Sequence, residues 1–79
     1  MTRAELLQRI TAILSDIVDE PNLVLTEDTT AEDVADWDSV THVKLMIALE
    51  SALHIRFETD EIAAPGDVVA LIDLIQKKL

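Results

Sequence analysis

Ser39 and His42 stand three residues apart in "DSVTHVKLMIALE", a spacing that puts two side chains on one face of a helix. A serine and a histidine so placed could act as nucleophile and base. Such a pair needs more than itself: an orienting group for the imidazole, donors for a developing oxyanion, and a dry pocket. The single glycine, Gly66, lies far along the chain, and no nucleophile-elbow pattern surrounds Ser39. No catalytic residue is therefore expected, and His42, like His54, is read as a solvated side chain. The acid-rich run "DTTAEDVADWDS" from Asp28 suggests a metal next. A calcium loop wants Gly at its sixth position and Glu at its twelfth. Asp33 and Ser39 stand there instead, so no metal site is expected.

Asp38 and Ser39 admit two readings. Both types are favoured at a helix start, so Asp38 can simply cap a helix that Ser39 begins. The sharper reading makes Ser39 an attachment point. Free backbone N–H groups and the positive end of the helix dipole suit a phosphate joined to that hydroxyl. Ser39 needs no base of its own if a second enzyme supplies one. That accounts for a reactive serine in a chain without catalytic apparatus.

The elements that must position this pair follow from periodicity. Thr2-Arg3-Ala4-Glu5 has capping-box spacing, so a first helix starts near Arg3, with Leu6, Ile10, Ile13, Leu14 and Ile17 on one face. Its pattern fades by Asp19, and Pro21 blocks continuation. Residues 20 to 37 keep no period and form a long loop, with Leu23, Leu25 and Val34 as anchors. A strand at "LVLT" has no evident partner. The second helix runs from Asp38 or Ser39 to about Leu53, with Val43, Met46, Ile47, Leu49 and Leu53 as its apolar positions and Val40 exposed in its first turn. "HIRFETD" breaks the pattern. A short helix is expected over Asp60 to Ala63, capped by Thr59 and ended by Pro65-Gly66. Asp67 then caps a last helix with Val68, Leu71, Ile72, Ile75 and Leu79 as its stripe. Lys77 and Lys78 in its final turn suit the dipole. The fold class is all-α: a four-helix bundle of three main helices and one short one, with a long first loop. The core is expected from Leu6, Ile10, Leu14, Met46, Leu49, Leu53, Leu71, Ile72 and Ile75.

Length and composition bound the rest. The 79 residues, 49% hydrophobic, suggest a single domain over 1–79. Trp37 and Phe57 are the only aromatics, so the core is aliphatic. With no Cys, disulfides and thiolate metal sites are excluded. Packing alone must hold a domain that is stable by about 5 kcal/mol at this size. The formal charge is −10, and nine acids with no Lys or Arg lie between Asp16 and Asp38. That field repels nucleic acid and anionic membranes and attracts a basic protein partner. No apolar run approaches the ~20 residues of a membrane span, and "MTRAELLQRI" lacks a signal peptide's apolar region. A monomeric cytoplasmic protein is expected by default, discrete from Met1 to its short C-terminus.

With these residues in view, the chain resembles an acyl carrier protein over essentially its whole length: first helix, long loop, Asp-Ser helix, short helix, last helix. Asp38-Ser39-Val40 followed by "THVKLMIALE" carries the resemblance. The tripeptide alone is weak; its place near mid-chain, the preceding loop, the length and the acidity strengthen it. The resemblance implies that a phosphopantetheinyl transferase moves 4′-phosphopantetheine from coenzyme A onto Ser39, with Asp38 as the helix cap and part of the motif. The arm's thiol then carries an acyl thioester, delivered by a loading ligase or acyltransferase and presented to acyl-processing synthases. It implies a carrier and not an enzyme. Trp37, Val40, Val43, Lys44 and Ile47 are the residues expected to meet partners or the arm. Two departures stand out. Val40 replaces the family's usual Leu, and Trp37 stands where a Gly, small or aliphatic residue is usual. Lys44 falls on a helix that family members of primary fatty-acid synthesis stud with acids, which counts against service there; the resemblance itself implies cargo of fatty-acid, polyketide or other specialised acyl metabolism. Asp36-Trp37-Asp38-Ser39 does not match the Gly-Gly-x-Ser of peptidyl carriers. An aminoacyl or peptidyl-type carrier and an unmodified acidic helical interaction module stay open beside the acyl carrier.

Overall fold

Local chemistry starts each helix of the computed structural model, which describes residues 1–63 and 66–79. Helix α1, Arg3–Ile17, opens on the expected capping box: Thr2 Oγ1 accepts from the Glu5 N–H and Glu5 Oε1 accepts from the Thr2 N–H. It ends where Asp19 turns left-handed, at φ 57°. The Ser15 carbonyl then accepts from the Glu20 N–H, and the Ser15 hydroxyl donates to the Glu20 carbonyl. Residues 20–37 form the expected loop, and "LVLT" is irregular within it. One 3₁₀ turn over Ala31–Asp33 interrupts the loop, with the Asp33 carboxylate accepting from the Thr30 N–H. Helix α2 spans Ser39–Leu53 and closes on His54, also left-handed at φ 56°. Helix α3 is the short segment Thr59–Ala63, and α4 spans Val68–Lys78 behind the Asp67 cap, whose carboxylate accepts from the Ala70 N–H.

Thr59 is not the cap expected of it. It is the first helical residue, and Glu58 lies before it, with its N–H held by Glu61 Oε1 and its carbonyl accepting from Ile62. The expected stop at Pro65 lies outside the described residues. The one β-like contact among the described residues is an isolated antiparallel bridge between Thr30 and Asp67. Two hydrogen bonds flank it, from the Ala31 N–H to the Gly66 carbonyl and from the Val68 N–H to the Thr29 carbonyl. They pin the long loop to the start of α4.

Helix α1 packs on α2 and α4, and α3 packs on α2. Leu6, Ile10, Leu14, Leu45, Met46, Leu49, Val68, Leu71, Ile72 and Ile75 are fully buried between them. Leu25, Trp37 and Phe57 close the margins. Three expectations need correcting. Leu53 is only half-buried, and Leu79, at the end of α4, is 57% exposed. Leu45, absent from the expected core, is buried, while Val43 and Ile47 point outward on α2, where residues that meet partners would lie. The reason is phase. At about 100° per residue, Leu45, Met46, Leu49 and Leu53 share one arc of α2, and Val40, Val43, Lys44 and Ile47 share the opposite one.

The few cations act as staples. Arg3 donates through Nε to Glu27 in the loop and through a terminal nitrogen to Asp73 and Gln76 on α4. Lys78 pairs with Glu61 of α3 at 2.8 Å and lies 5.8 Å above the Phe57 ring. Replacing Leu49 by Ala leaves a cavity where α1 meets α2 and is expected to cost about 3 kcal/mol. In a domain this small, chemical denaturation should show the midpoint fall by a large fraction of its value.

Candidate functional site

Asp38 decides where α2 starts. Its Oδ1 accepts from the Thr41 N–H at 2.8 Å, and its carbonyl accepts from the His42 N–H at 2.8 Å. Thr41, its backbone N–H first, holds the Asp38 carboxyl below its ordinary value, with smaller help from the Val40 and Asp38 backbone. Ser39 is therefore the first helical residue, as expected, and it is exposed. Among the described residues its hydroxyl makes no hydrogen bond, to His42 or to any other group. Asp38 spends its carboxylate on Thr41 and leaves the serine unengaged.

The outer face of α2 runs down from that hydroxyl. Val40 is 63% exposed, Val43 43% and Ile47 56%, with exposed Lys44 among them. Glu50, the other charged residue of α2, is half-buried and accepts the Phe57 N–H through Oε2. The face leading from Ser39 is thus apolar with one positive charge. Four of the five residues expected to meet partners lie on it.

Trp37 is the exception, because it is only 5% exposed. As the largest apolar side chain in an aliphatic chain, it closes the core from the loop side, and only its edge meets the cleft described below. Its indole Nε1–H donates to His42 Nδ1 at 3.1 Å, and the two rings stack with centroids 6.0 Å apart. His42 is consequently not the solvated residue the spacing suggested. It shares the inward arc of α2, half-buried, and its Nδ1 is occupied as an acceptor. The neutral ring then carries its proton on Nε2. That Nε2 is buried and finds no hydrogen-bond partner among the described residues. An unmatched buried donor costs about 1–3 kcal/mol. Burial pushes the imidazole pKa down, and the nearby Ile62 backbone opposes the shift. The Ile62 group is close enough to act on the charge but not placed to accept a proper hydrogen bond.

A cleft of about 500 Å³ opens between α2 and α3, with Trp37, Asp38, Ser39, His42, Val43 and Ile62 among its lining. Sequence reasoning found Ser39, Asp38 and Val43 but not the cleft or the Trp37–His42 pair. One signal was available: His42 falls one turn before Leu45 and Met46, in phase with the core. Ser39 and His42 share this cleft without forming a nucleophile–base pair. A phosphodiester-linked arm fits what is present: an exposed, unengaged hydroxyl at a helix start, an adjoining mostly apolar cleft, and an orphaned donor buried beside it.

No protein-family model matches the chain, and no curated protein matches it. Among solved structures, the fold superposes on a holo acyl carrier protein from Geobacter metallireducens with a TM-score of 0.80. The two are 36% identical, over 91% of this chain and 83% of that one.

Two predictions follow from this geometry. Asp38→Ala removes the cap and should lower the melting temperature by about 5 °C, whereas Asp38→Asn, which keeps an acceptor, should lose less. His42 has a folded pKa below its unfolded value of 6.5, so the unfolded chain binds the extra proton first. Stability should therefore fall as pH drops from 6.5 toward the folded value, before the carboxylates protonate. Thermal melts of His42→Phe should lack that segment of the pH dependence.

Proposed function

The chain belongs to the acyl carrier protein family, and we propose that it carries acyl groups as thioesters of a phosphopantetheine arm on Ser39. The observation that carries this reading is the exposed, unengaged Ser39 hydroxyl at the first position of α2, in a fold that superposes on a holo acyl carrier protein at 36% identity. In the transfer step, Ser39 Oγ attacks the phosphorus of coenzyme A that bears the pantetheine. A P–O bond to the serine forms, the bond to the adenosine bisphosphate breaks, and the serine proton passes to a base of the transferase. The arm supplies the thiol that this cysteine-free chain lacks.

The chain's own residues supply position and electrostatics. Asp38 keeps Ser39 in the first turn, where the free N–H groups and the dipole favour the added phosphate. The neighbouring carboxylate opposes it only weakly through water. The apolar outer face of α2 is the surface that a transferase, a loading ligase or acyltransferase, and acyl-processing synthases would grip. Lys44, the one exposed charge there, favours partners with a carboxylate opposite it and disfavours a basic docking site. That charge favours service in specialised acyl metabolism over primary fatty-acid synthesis. Among the described residues no helix is long and apolar enough to cross a membrane.

Incubation with coenzyme A and a broad-specificity phosphopantetheinyl transferase should add the mass of one phosphopantetheine, read by intact-protein mass spectrometry. Ser39→Ala should gain nothing while keeping full helicity. No gain in the well-folded parent would leave Asp38-Ser39 as a helix cap, and an unmodified interaction module would be the better reading.

A further inference from the structure

We infer that His42 Nε2–H is a hydrogen-bond donor to an uncharged carbonyl oxygen on the group attached at Ser39, which makes His42 a specificity-determining residue of the cleft. The inference rests on the attachment proposed above and goes beyond it, because attachment alone requires nothing inside the cleft.

Three features of the structure converge on this atom. Trp37 Nε1–H can only donate, so its 3.1 Å bond to Nδ1 forces the neutral imidazole to carry its proton on Nε2. Burial keeps the ring neutral near physiological pH by disfavouring its charged form. The resulting Nε2–H is buried and unmatched among the described residues. Buried donors are almost always paired, and an exception calls for an explanation, here an acceptor brought by the attached group. Ser39 and His42 line the same cleft of about 500 Å³, so a chain tethered at the serine can fold back against the histidine. The remaining walls include Val43, Ile62 and Ala63. They offer contact to an aliphatic chain; the one charge in the lining is the Asp38 carboxylate, and no cation lines the cleft among the described residues. A carboxylate would enter unpaired, so the acceptor is a neutral carbonyl.

Access requires a small movement. The orphaned N–H lies under α3, close to the Ile62 backbone that fails to accept it. Helix α3 has five residues, and Lys78 ties it to α4 through Glu61. A shift of that short segment exposes the donor without disturbing the three main helices. Two sources could supply the carbonyl: an amide of the arm itself, or a keto group on the acyl cargo.

Heteronuclear NMR of the imidazole nitrogens separates these sources. The apo chain would be compared with forms carrying the bare arm, an octanoyl thioester and a β-keto-octanoyl thioester, each verified by intact mass. A change in the His42 Nε2 resonance already present with the bare arm assigns the carbonyl to an arm amide. A change confined to the β-keto form assigns it to the cargo. An Nε2 resonance unmoved in every loaded form overturns the inference while leaving the carrier reading intact. A chain that gains no mass at Ser39 overturns both. His42→Phe keeps a ring against Trp37 and removes the donor. It should lower the share of loaded protein with the carbonyl-bearing form in the cleft about tenfold, the worth of one hydrogen bond, read from the Ile62 methyl shifts. His42→Gln, which keeps an acceptor for Trp37 and a donor, should restore part of it. Equal occupancy in His42→Phe and the parent would also overturn the inference.

Discussion

The hydrogen bond from the Thr41 N–H to the Asp38 carboxylate sets the start of α2, and the site depends on that start. A helix turns by about 100° for each residue. Had it started one residue later, Ser39 would have been the cap, with its hydroxyl turned onto the backbone N–H groups. With Asp38 as cap, three consecutive residues separate cleanly. Trp37 enters the core, Asp38 binds the backbone, and Ser39 faces outward. One turn on, His42 comes back beneath Trp37 and accepts its indole N–H. The attachment point and the buried ring pair are thus two consequences of one cap.

Cations are scarce here, and their placement organises the surface around that helix. Arg3 joins the start of α1 to the loop and to α4, and Lys78 joins α4 to α3. Both are partly exposed, so water screens their pairs, and they fix geometry more than they stabilise the domain. Lys44 stands alone on the exposed face of α2 in a chain of formal charge −10. Acids dominate the loop, while an apolar stripe and one positive charge mark the face that leads away from Ser39. A partner reading this protein meets two different surfaces on either side of the cap.

The helices were legible because their signals are local. Thr2 with Glu5, Asp38 before Ser39, and Asp67 before Val68 each announce a start within four residues of chain. The absence of a strand at "LVLT" was legible too, since nothing in the sequence offered it a partner. The inner face of α2 was read less well. It carries aliphatic residues on both sides, and Leu45 is missing from the expected core although its angular phase with Leu49 places it there. Trp37, expected to meet partners or the arm from its place beside Asp38-Ser39, is buried. An aliphatic core of this size still lacked a large residue at its margin, and the indole filled it.

By itself the sequence determined the all-α class, the helix starts, the long loop, the family resemblance and the singling out of Ser39. Each rests on side-chain to backbone bonds, on periodicity within a single element, or on the order of elements along the chain. Tertiary structure alone decided that α3 lies against α2 to form a cleft at Ser39, that Gly66 and Val68 pin the loop, and that Trp37 and His42 face each other with Nε2–H left unmatched. These depend on how separate elements pack. A residue's partners across a core are chosen by the shape of the whole bundle, and no pattern along one helix records them.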